Sequence, residues 1–279
     1  MRLIQASTLA DLRLAVDGWK QQGLRVGLVP TMGNLHAGHL QLVDALRKSC
    51  DRLVTSIFVN PTQFGPGEDF ATYPQTLPND LRALDERGID LAWTPSVDVM
   101  YPLEDSFMVK VPSALADTLC GEYRPGHFDG VASVVLRLFL QVAPDAAIFG
   151  EKDFQQLLVI RRLATDYTLD IDIQALPTVR EHDGLAMSSR NQYLNEKERA
   201  RAGELHAALQ ATADGLRKGQ GWACLQAYAL ERLEGAGFRP QYLEWRSAEH
   251  LGNPEEGRAQ RLLAAAHLGS ARLIDNIAV

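Results

Sequence analysis

Two patterns alternate through the first two-thirds of the chain. Strand-like runs over residues 25–29, 53–59, 89–93, 146–149 and 171–176 predict strands, the first of them an apolar, buried one. Between them, helical patterns cover residues 38–50, 76–87, 131–142 and 152–167. Val131, Val134, Val135, Leu138, Phe139 and Val142 form one apolar stripe ahead of Pro144, and Leu157, Ile160, Ala164 and Tyr167 form another. Pro30 is expected to stop the first strand, Thr76 to cap a helix and Gly88 to end it. Strands separated by helices of this length need crossover connections, which build a parallel sheet. The expected class is α/β, a doubly wound sheet over residues 1–177.

The pattern changes beyond Thr178. Residues 196–219 read as one charged, alanine-rich helix and residues 221–235 as a second. Strand-like segments follow at 242–245, 261–266 and 271–276, so residues 178–279 are expected to form a smaller α+β domain with an antiparallel sheet.

Composition narrows the options. The chain has 279 residues, 46% hydrophobic and 23% charged, which suits a globular protein of two domains. Its net charge of −7 argues against a dedicated nucleic-acid binder, which needs a basic footprint. Cys50, Cys120 and Cys224 are far apart, without a Cys-x-x-Cys spacing, and fit a reducing cytoplasm. Neither a signal-peptide core nor an apolar run of membrane length is evident, so a cytoplasmic protein is expected, with no membrane partner.

Ligands of parallel α/β sheets lie beyond the carboxyl ends of the strands. Three polar turns occupy such positions. After the first strand comes Thr31-Met32-Gly33-Asn34-Leu35-His36-Ala37-Gly38-His39, with two histidines where a helix begins. Unpartnered amides and the dipole at a helix start suit phosphate, and imidazoles there add donors. Histidines three apart without a third ligand make a metal site the poorer reading, and no metal-binding residues are assigned. Asn60-Pro61-Thr62-Gln63-Phe64 follows the second strand, with Gln63 able to hydrogen-bond a substrate. Gly150-Glu151-Lys152-Asp153-Phe154-Gln155-Gln156 follows another. A lysine opening a helix opposes the dipole and suggests an external anion, and Gln156, four residues on, is expected on the same helical face. Met187-Ser188-Ser189-Arg190 sits at the domain junction, where hydroxyls and a guanidinium suit a triphosphate. His127 is expected to cap the helix that follows it. No Walker A or Gly-x-Gly-x-x-Gly sequence is present, which disfavours a P-loop kinase and a standard dinucleotide oxidoreductase.

The stretch from Val29 to Leu40 resembles the His-x-Gly-His signature of nucleotidylyltransferases and class I aminoacyl-tRNA synthetases. Together with residues 58–64, 120–128, 149–156, 177–194 and the ending Leu268-Gly269-Ser270-Ala271-Arg272-Leu273-Ile274-Asp275-Asn276, the chain resembles the pantoate–β-alanine ligase family over essentially its whole length. The resemblance implies a Rossmann-like first domain, a C-terminal lid domain and a homodimer through the first domain. It also implies ATP-dependent joining of pantoate and β-alanine through an acyl-adenylate, with Mg²⁺ accompanying ATP.

Carried over residue by residue, Met32, Gly33, Asn34, Leu35, His36, Ala37, Gly38, His39, Gly150, Glu151, Lys152, Asp153, Val179, Met187, Ser188, Ser189 and Arg190 would bind ATP. His39, His36, Lys152, Ser188, Ser189 and Arg190 would handle charge during catalysis, and Gln63, Gln156, Asn60 and Tyr73 would contact substrate. Thr62 stands where many relatives carry methionine. Met187–Arg190 corresponds to the synthetases' mobile loop without its final lysine, which Lys152 would supply. The first turn alone leaves open another His-x-Gly-His nucleotidylyltransferase, a tRNA synthetase, or a nucleotide-binding regulator without catalysis.

Overall fold

The structure, a computed structural model, describes residues 3–279. The chain divides into two compact units. The first holds the residues up to Pro112, then Arg124–Glu151 and Val159–Pro177. The second holds Ser113–Tyr123, Lys152–Leu158 and Thr178–Val279. Two short segments of the first two-thirds of the chain therefore belong with the C-terminal residues. Among the described residues no helix is long and apolar enough to cross a membrane.

The elements run β1 (Ile4–Ala6), α1 (Leu9–Gln21), β2 (Val26–Thr31), α2 (Ala37–Leu46), β3 (Arg52–Ile57), α3 (Leu77–Glu86), β4 (Leu91–Trp93), α4 (His127–Val142), β5 (Ala146–Gly150), α5 (Phe154–Asp166) and β6 (Asp172–Leu176). The six strands form one parallel sheet in the order β1-β4-β3-β2-β5-β6. From β2 the chain winds one way through β3 and β4, and the other way through β5 and β6. The switch point thus lies between β2 and β5, where a doubly wound sheet opens its crevice. Leu42, Val43 and Leu46 of α2 pack on Val29, Leu53 and Ile148 of the sheet. The expected doubly wound parallel sheet is present. The sequence patterns did not reveal β1 and α1; α1 starts where the Thr8 hydroxyl accepts from the Asp11 amide and buries only Leu12, Val16 and Trp19.

Two local expectations are corrected. Pro30 does not end β2, which continues to Thr31 in register with Ile57. Val26 O accepts from Asp145 and Thr31 O from Phe58, so alternation turns Pro30 towards β5. Pairing with β5 ends at Leu28, so the missing N–H interrupts no ladder. Thr76 does precede α3, but its side chain makes no capping bond. Its hydroxyl donates instead to the Asp80 carboxylate at 3.1 and 3.2 Å.

The second unit adds α6 (Glu204–Arg217), α7 (Trp222–Gly235), β7 (Arg239–Ser247), β8 (Gln260–Leu268) and β9 (Ala271–Ala278). These three strands form an antiparallel sheet in chain order, the expected small α+β arrangement. Leu262, Ala264, Ala266 and Leu268 of β8, with Leu273 and Ile277 of β9, face Leu205, Leu209, Ala213 and Leu233 of the helices. Alternation sends Tyr242, Arg261, Arg272 and Asn276 to the opposite face. There the segments 113–123 and 152–158 meet the sheet: Cys120 Sγ lies 3.0 Å from Tyr242 Oη, and Tyr123 Oη donates to Gln241 O at 2.6 Å. The single helix expected over 196–219 is two. One turn, Glu196–Arg199, is closed by an Asn195–Glu198 capping box, and α6 begins after a bend. At that bend Gly203 lies against the Asp183 carbonyl, where a Cβ would come within 2.7 Å.

Candidate active site

The turn between β2 and α2 is held from below and behind. Thr31 Oγ1 donates to Ser56 O at 2.7 Å and accepts from Gly33 N at 3.2 Å. Gly33 has φ +82°, and a Cβ there would stand 3.0 Å from Ile57 Cγ2 and 3.1 Å from Asp80 Oδ2, so the turn requires glycine. Asn34 follows with φ 50°. Behind them the buried Asp80 of α3 accepts from Asn34 N at 3.0 Å and Leu35 N at 2.8 Å. Asp80 was missed in the sequence because nothing local marks its partners.

His36 caps α2, its Nδ1 accepting from Gly38 N at 3.1 Å, while His39 Nδ1 accepts from His36 N at 3.3 Å. The rings lie 4.0 Å apart at 32°. An amide can only donate, so both Nδ1 atoms are acceptors and each neutral ring carries its proton on Nε2. The helix start thus combines backbone amides with two imidazoles whose orientation is fixed through Nδ1, a setting that suits phosphate oxygens.

The second wall of this unit follows β3. Asn60 is buried; its Nδ2 donates to Gln63 Oε1 at 3.1 Å and Gly130 O at 3.2 Å. Its Oδ1 accepts from Tyr101 Oη at 2.8 Å and Thr62 Oγ1 at 3.0 Å. This leaves Gln63 Nε2 donating to Met32 Sδ at 3.0 Å, a weak acceptor that a substrate oxygen can replace. Met32, Asn60 and Gln63 thus share one network, and Tyr73 is buried edge-on to Phe64 at 6.0 Å. Burial pushes the Tyr101 phenol up, beyond what the Thr62 hydrogen bond and the Arg137 charge recover.

His127 does not cap α4 as expected; Gly126 occupies that position with φ 78°. Arg124 Nη1 donates to His127 Nε2 at 2.9 Å, so the ring's proton sits on Nδ1 and is given to Gln63 O at 2.8 Å. Arg124 is itself held by Glu68 through bonds of 2.7 and 2.6 Å. Burial would raise the Glu68 carboxyl, but the hydrogen bonds and charge of Arg124 outweigh it and hold the group below its ordinary range. A Glu68–Arg124–His127 relay therefore fixes the backbone of Gln63.

Of the remaining expected residues, Gly150 and Glu151 belong to the first unit, and Lys152, Asp153, Gln156, Val179 and Met187–Arg190 to the second. Lys152 lies in a 3₁₀ turn, Glu151–Asp153, ahead of α5 rather than within it. The helical spacing used to align it with Gln156 therefore does not apply. Lys152 Nζ stands 3.8 Å from Asp153 Oδ2, and its side chain is 20% exposed. Gln156, in the first turn of α5, is half-buried.

Val179 and Met187 are brought together: Met187 N donates to Val179 O at 2.9 Å across a hairpin bridged at Arg180 and Ala186. Ser188 caps the next turn by accepting from Arg190 N at 3.3 Å, and Ser189 and Arg190 open that turn. Arg180 grips Asp275 with bonds of 2.7 and 2.9 Å, and Arg199 pairs with Glu181 and Asp183 at 2.5 Å each. Hydrogen bonds from Arg199 hold the Asp183 carboxyl below its ordinary range, against a smaller effect of burial.

A family model described as pantoate-beta-alanine ligase matches residues 5–278. The chain belongs to the pantoate-beta-alanine ligase family. A pantothenate synthetase of Xylella fastidiosa (strain 9a5c) is 52% identical over 274 residues, covering 96% of this chain and 97% of the relative. One from Rhodospirillum rubrum is 52% identical over 279 residues, covering 98% of each. Among solved structures, pantothenate synthetase from Thermus thermophilus has a TM-score of 0.92 at 44% identity, covering 99% of both chains. The pantoate-beta-alanine ligase from Francisella tularensis, complexed with beta-gamma ATP and beta-alanine, has a TM-score of 0.85 at 30% identity, covering 99% of this chain and 97% of that one. As a pantoate-beta-alanine ligase the chain is an enzyme of pantothenate biosynthesis that uses ATP. Membership decides among the nucleotide chemistries that the His36–His39 turn alone leaves open.

Proposed function

We propose that the enzyme joins pantoate to β-alanine in two steps through a pantoyl-adenylate. A carboxylate resists attack by an amine, so it must first be given a leaving group. A pantoate carboxylate oxygen attacks the α-phosphorus of ATP, forming a C–O–P link as pyrophosphate departs. The β-alanine amine then attacks the acyl carbon; the C–N bond forms, the C–O bond to phosphate breaks, AMP leaves and the amine gives up a proton. No covalent enzyme intermediate is needed, so the protein's contribution is positioning and stabilisation of growing phosphate charge.

The observation that carries this reading is the glycine-bearing turn after β2, braced by Asp80, that leads into a helix start whose two histidines are each locked through Nδ1. The backbone of residues 32–39 is assigned to ATP. In the second unit Lys152 with its turn, Val179, and Met187, Ser188, Ser189 and Arg190 are assigned to the nucleotide, the cationic and hydroxyl groups to its triphosphate. Mg²⁺ enters with ATP as part of that substrate. Gln63, Asn60 and Tyr73 are assigned to the organic substrates, with Gln156 contributing its amide to pantoate.

Residues 1–177 are read as the catalytic domain and 178–279 as a lid. A homodimer through the first unit fits the exposed Leu103, Phe107 and Met108 and the exposed Leu140 of α4, with Arg137 of that helix bonded to Phe107 O. Light scattering at twice the chain mass is expected, and a monomer overturns this part. A cytoplasmic setting fits three free thiols.

The deciding experiment is pantoate-dependent exchange of pyrophosphate into ATP without β-alanine. Exchange is expected, and Lys152→Ala should slow single-turnover adenylation on the order of 10²–10³-fold. Nucleotide binding without exchange overturns the adenylate route, and an unimpaired Lys152→Ala removes the lysine from it.

A further inference from the structure

The C-terminal strand carries two adjacent buried polar residues, Asp275 and Asn276, each 3% exposed. Asp275 faces the helices, where it takes Arg180. Asn276 faces the other side of the sheet and meets the turn that holds Lys152. Its Nδ2 donates to Lys152 O at 2.9 Å, and its Oδ1 accepts from Arg261 Nη1 at 2.5 Å. Both partners are unambiguous, because a guanidinium only donates and a carbonyl only accepts. Arg261 therefore dictates which way the Asn276 amide points, and the amide then has its N–H₂ aimed at Lys152. Arg261 is in turn stacked over the ring of Phe154, with its central carbon 4.0 Å from the ring centroid. Register explains the pairing: Asn276 lies opposite Leu263 and Arg261 opposite Ala278, so the two are diagonal neighbours on one face. The turn Lys152–Phe154 is thus gripped at both ends by one corner of the sheet, at a carbonyl and at an aromatic ring.

We propose that Asn276, oriented by Arg261, is a positioning residue that sets the backbone of Lys152 so that its ammonium meets the phosphates during adenylation. This rests on the role given to Lys152 above. A carbonyl fixed from a rigid strand limits the rotation of the turn, and a shift of about 1 Å in a charge-stabilising group costs on the order of 10²-fold in rate. The C-terminal strand then has a chemical purpose beyond closing the sheet.

Asn276→Asp tests it. The new carboxylate still pairs with Arg261 and keeps the shape, but it has no N–H to offer Lys152 O. Pantoate-dependent exchange should fall about tenfold in kcat/KM for ATP. The melting temperature should fall as well, because a carboxylate oxygen then faces the Lys152 carbonyl, and the Lys152→Ala background separates the two effects. Arg261→Met, which removes the dictating donor but spares the Asn276 amide, should give a smaller loss of the same kind. In a Lys152→Ala background Asn276→Asp should add no further loss, because the group it positions is gone. Full activity of Asn276→Asp overturns the proposal, as does an equal fold-loss in both backgrounds. If Lys152→Ala by itself exchanges at the wild-type rate, the lysine's role fails and the proposal falls with it, an outcome separate from the other two.

Discussion

The carboxylate of Asp80 accepts from two backbone amides and a hydroxyl at once, and the chain between Gly33 and His36 takes its shape from them. Hydrogen bonds to a charged group are worth about 1.5–3 kcal/mol each, enough to hold Asn34 at positive φ. Asp80→Asn keeps the volume but turns an N–H₂ towards one of the amides. It should lower kcat/KM for ATP about tenfold or more, with little effect on β-alanine use once adenylate is formed. Steady-state kinetics with each substrate varied would show this, and unchanged ATP kinetics would remove Asp80 from the turn's support. The histidines were legible in the sequence because they act on each other and on α2 across two or three residues. Asp80 was not, since its partners lie 45 and 46 residues away. The same holds for His127, whose partner Gln63 O is 64 residues distant. Its neighbours suggested a cap, and only the fold reveals a relay.

Helix α4 and the Asn60–Gln63 turn approach so closely that Gly130 has no room for a side chain: an added Cβ would collide with the carbonyl of Thr62. Backbone cannot step aside as a flexible side chain would, and overpacking of this sort costs about 1–3 kcal/mol. Gly130→Ala should therefore raise KM for pantoate several-fold and lower the melting temperature, while ATP binding in the absence of pantoate changes little. Calorimetry with each ligand separates these effects; a loss of ATP binding equal to that of pantoate would contradict the assignment of this turn to pantoate. Elements of the sheet were readable because parallel strands buried on both faces are largely apolar, as over 53–59, where only Thr55 and Ser56 interrupt the run, and over 146–149. What was misread was punctuation. Pro30 is a breaker only where its missing N–H is needed, and the Lys152 turn looks helical in sequence though it precedes the helix.

Across the whole chain, each unit is tied together by carboxylates that ionise more readily than usual. In the first, burial would raise Glu68, but Arg124 holds it down. In the second, burial opposes the ionisation of Asp275 and is outweighed by His206 and Arg180, while Arg199 lowers Asp183. A group whose folded value is depressed stabilises the fold above its ordinary range, and that gain disappears as pH falls through the depressed value. The melting temperature should thus decline from about pH 5 downward, and Glu68→Gln should flatten the decline while lowering stability at neutral pH. An equally steep decline in that variant would show that Glu68 takes no part. The two-part plan of the molecule was visible in the change of pattern after Thr178, but the attachment of 113–123 and 152–158 to the second unit was not. Those segments are joined to it through side chains such as Cys120, Tyr123 and Phe154, which carry no periodic signal.

Asp275 and Asn276 serve opposite faces of β9, and the strand is reached from β8 through the two-residue turn Gly269-Ser270. Side chains alternate strictly along a strand, so adding or deleting one residue at that turn would exchange the two faces. After an insertion Lys152 O would face a carboxylate and Arg180 the apolar Ile274. After a deletion Arg180 would face an amide and Lys152 O the apolar Ile277, so both grips would fail together either way. The length of this turn is therefore as much a part of how the Lys152 backbone is held as the side chains that hold it.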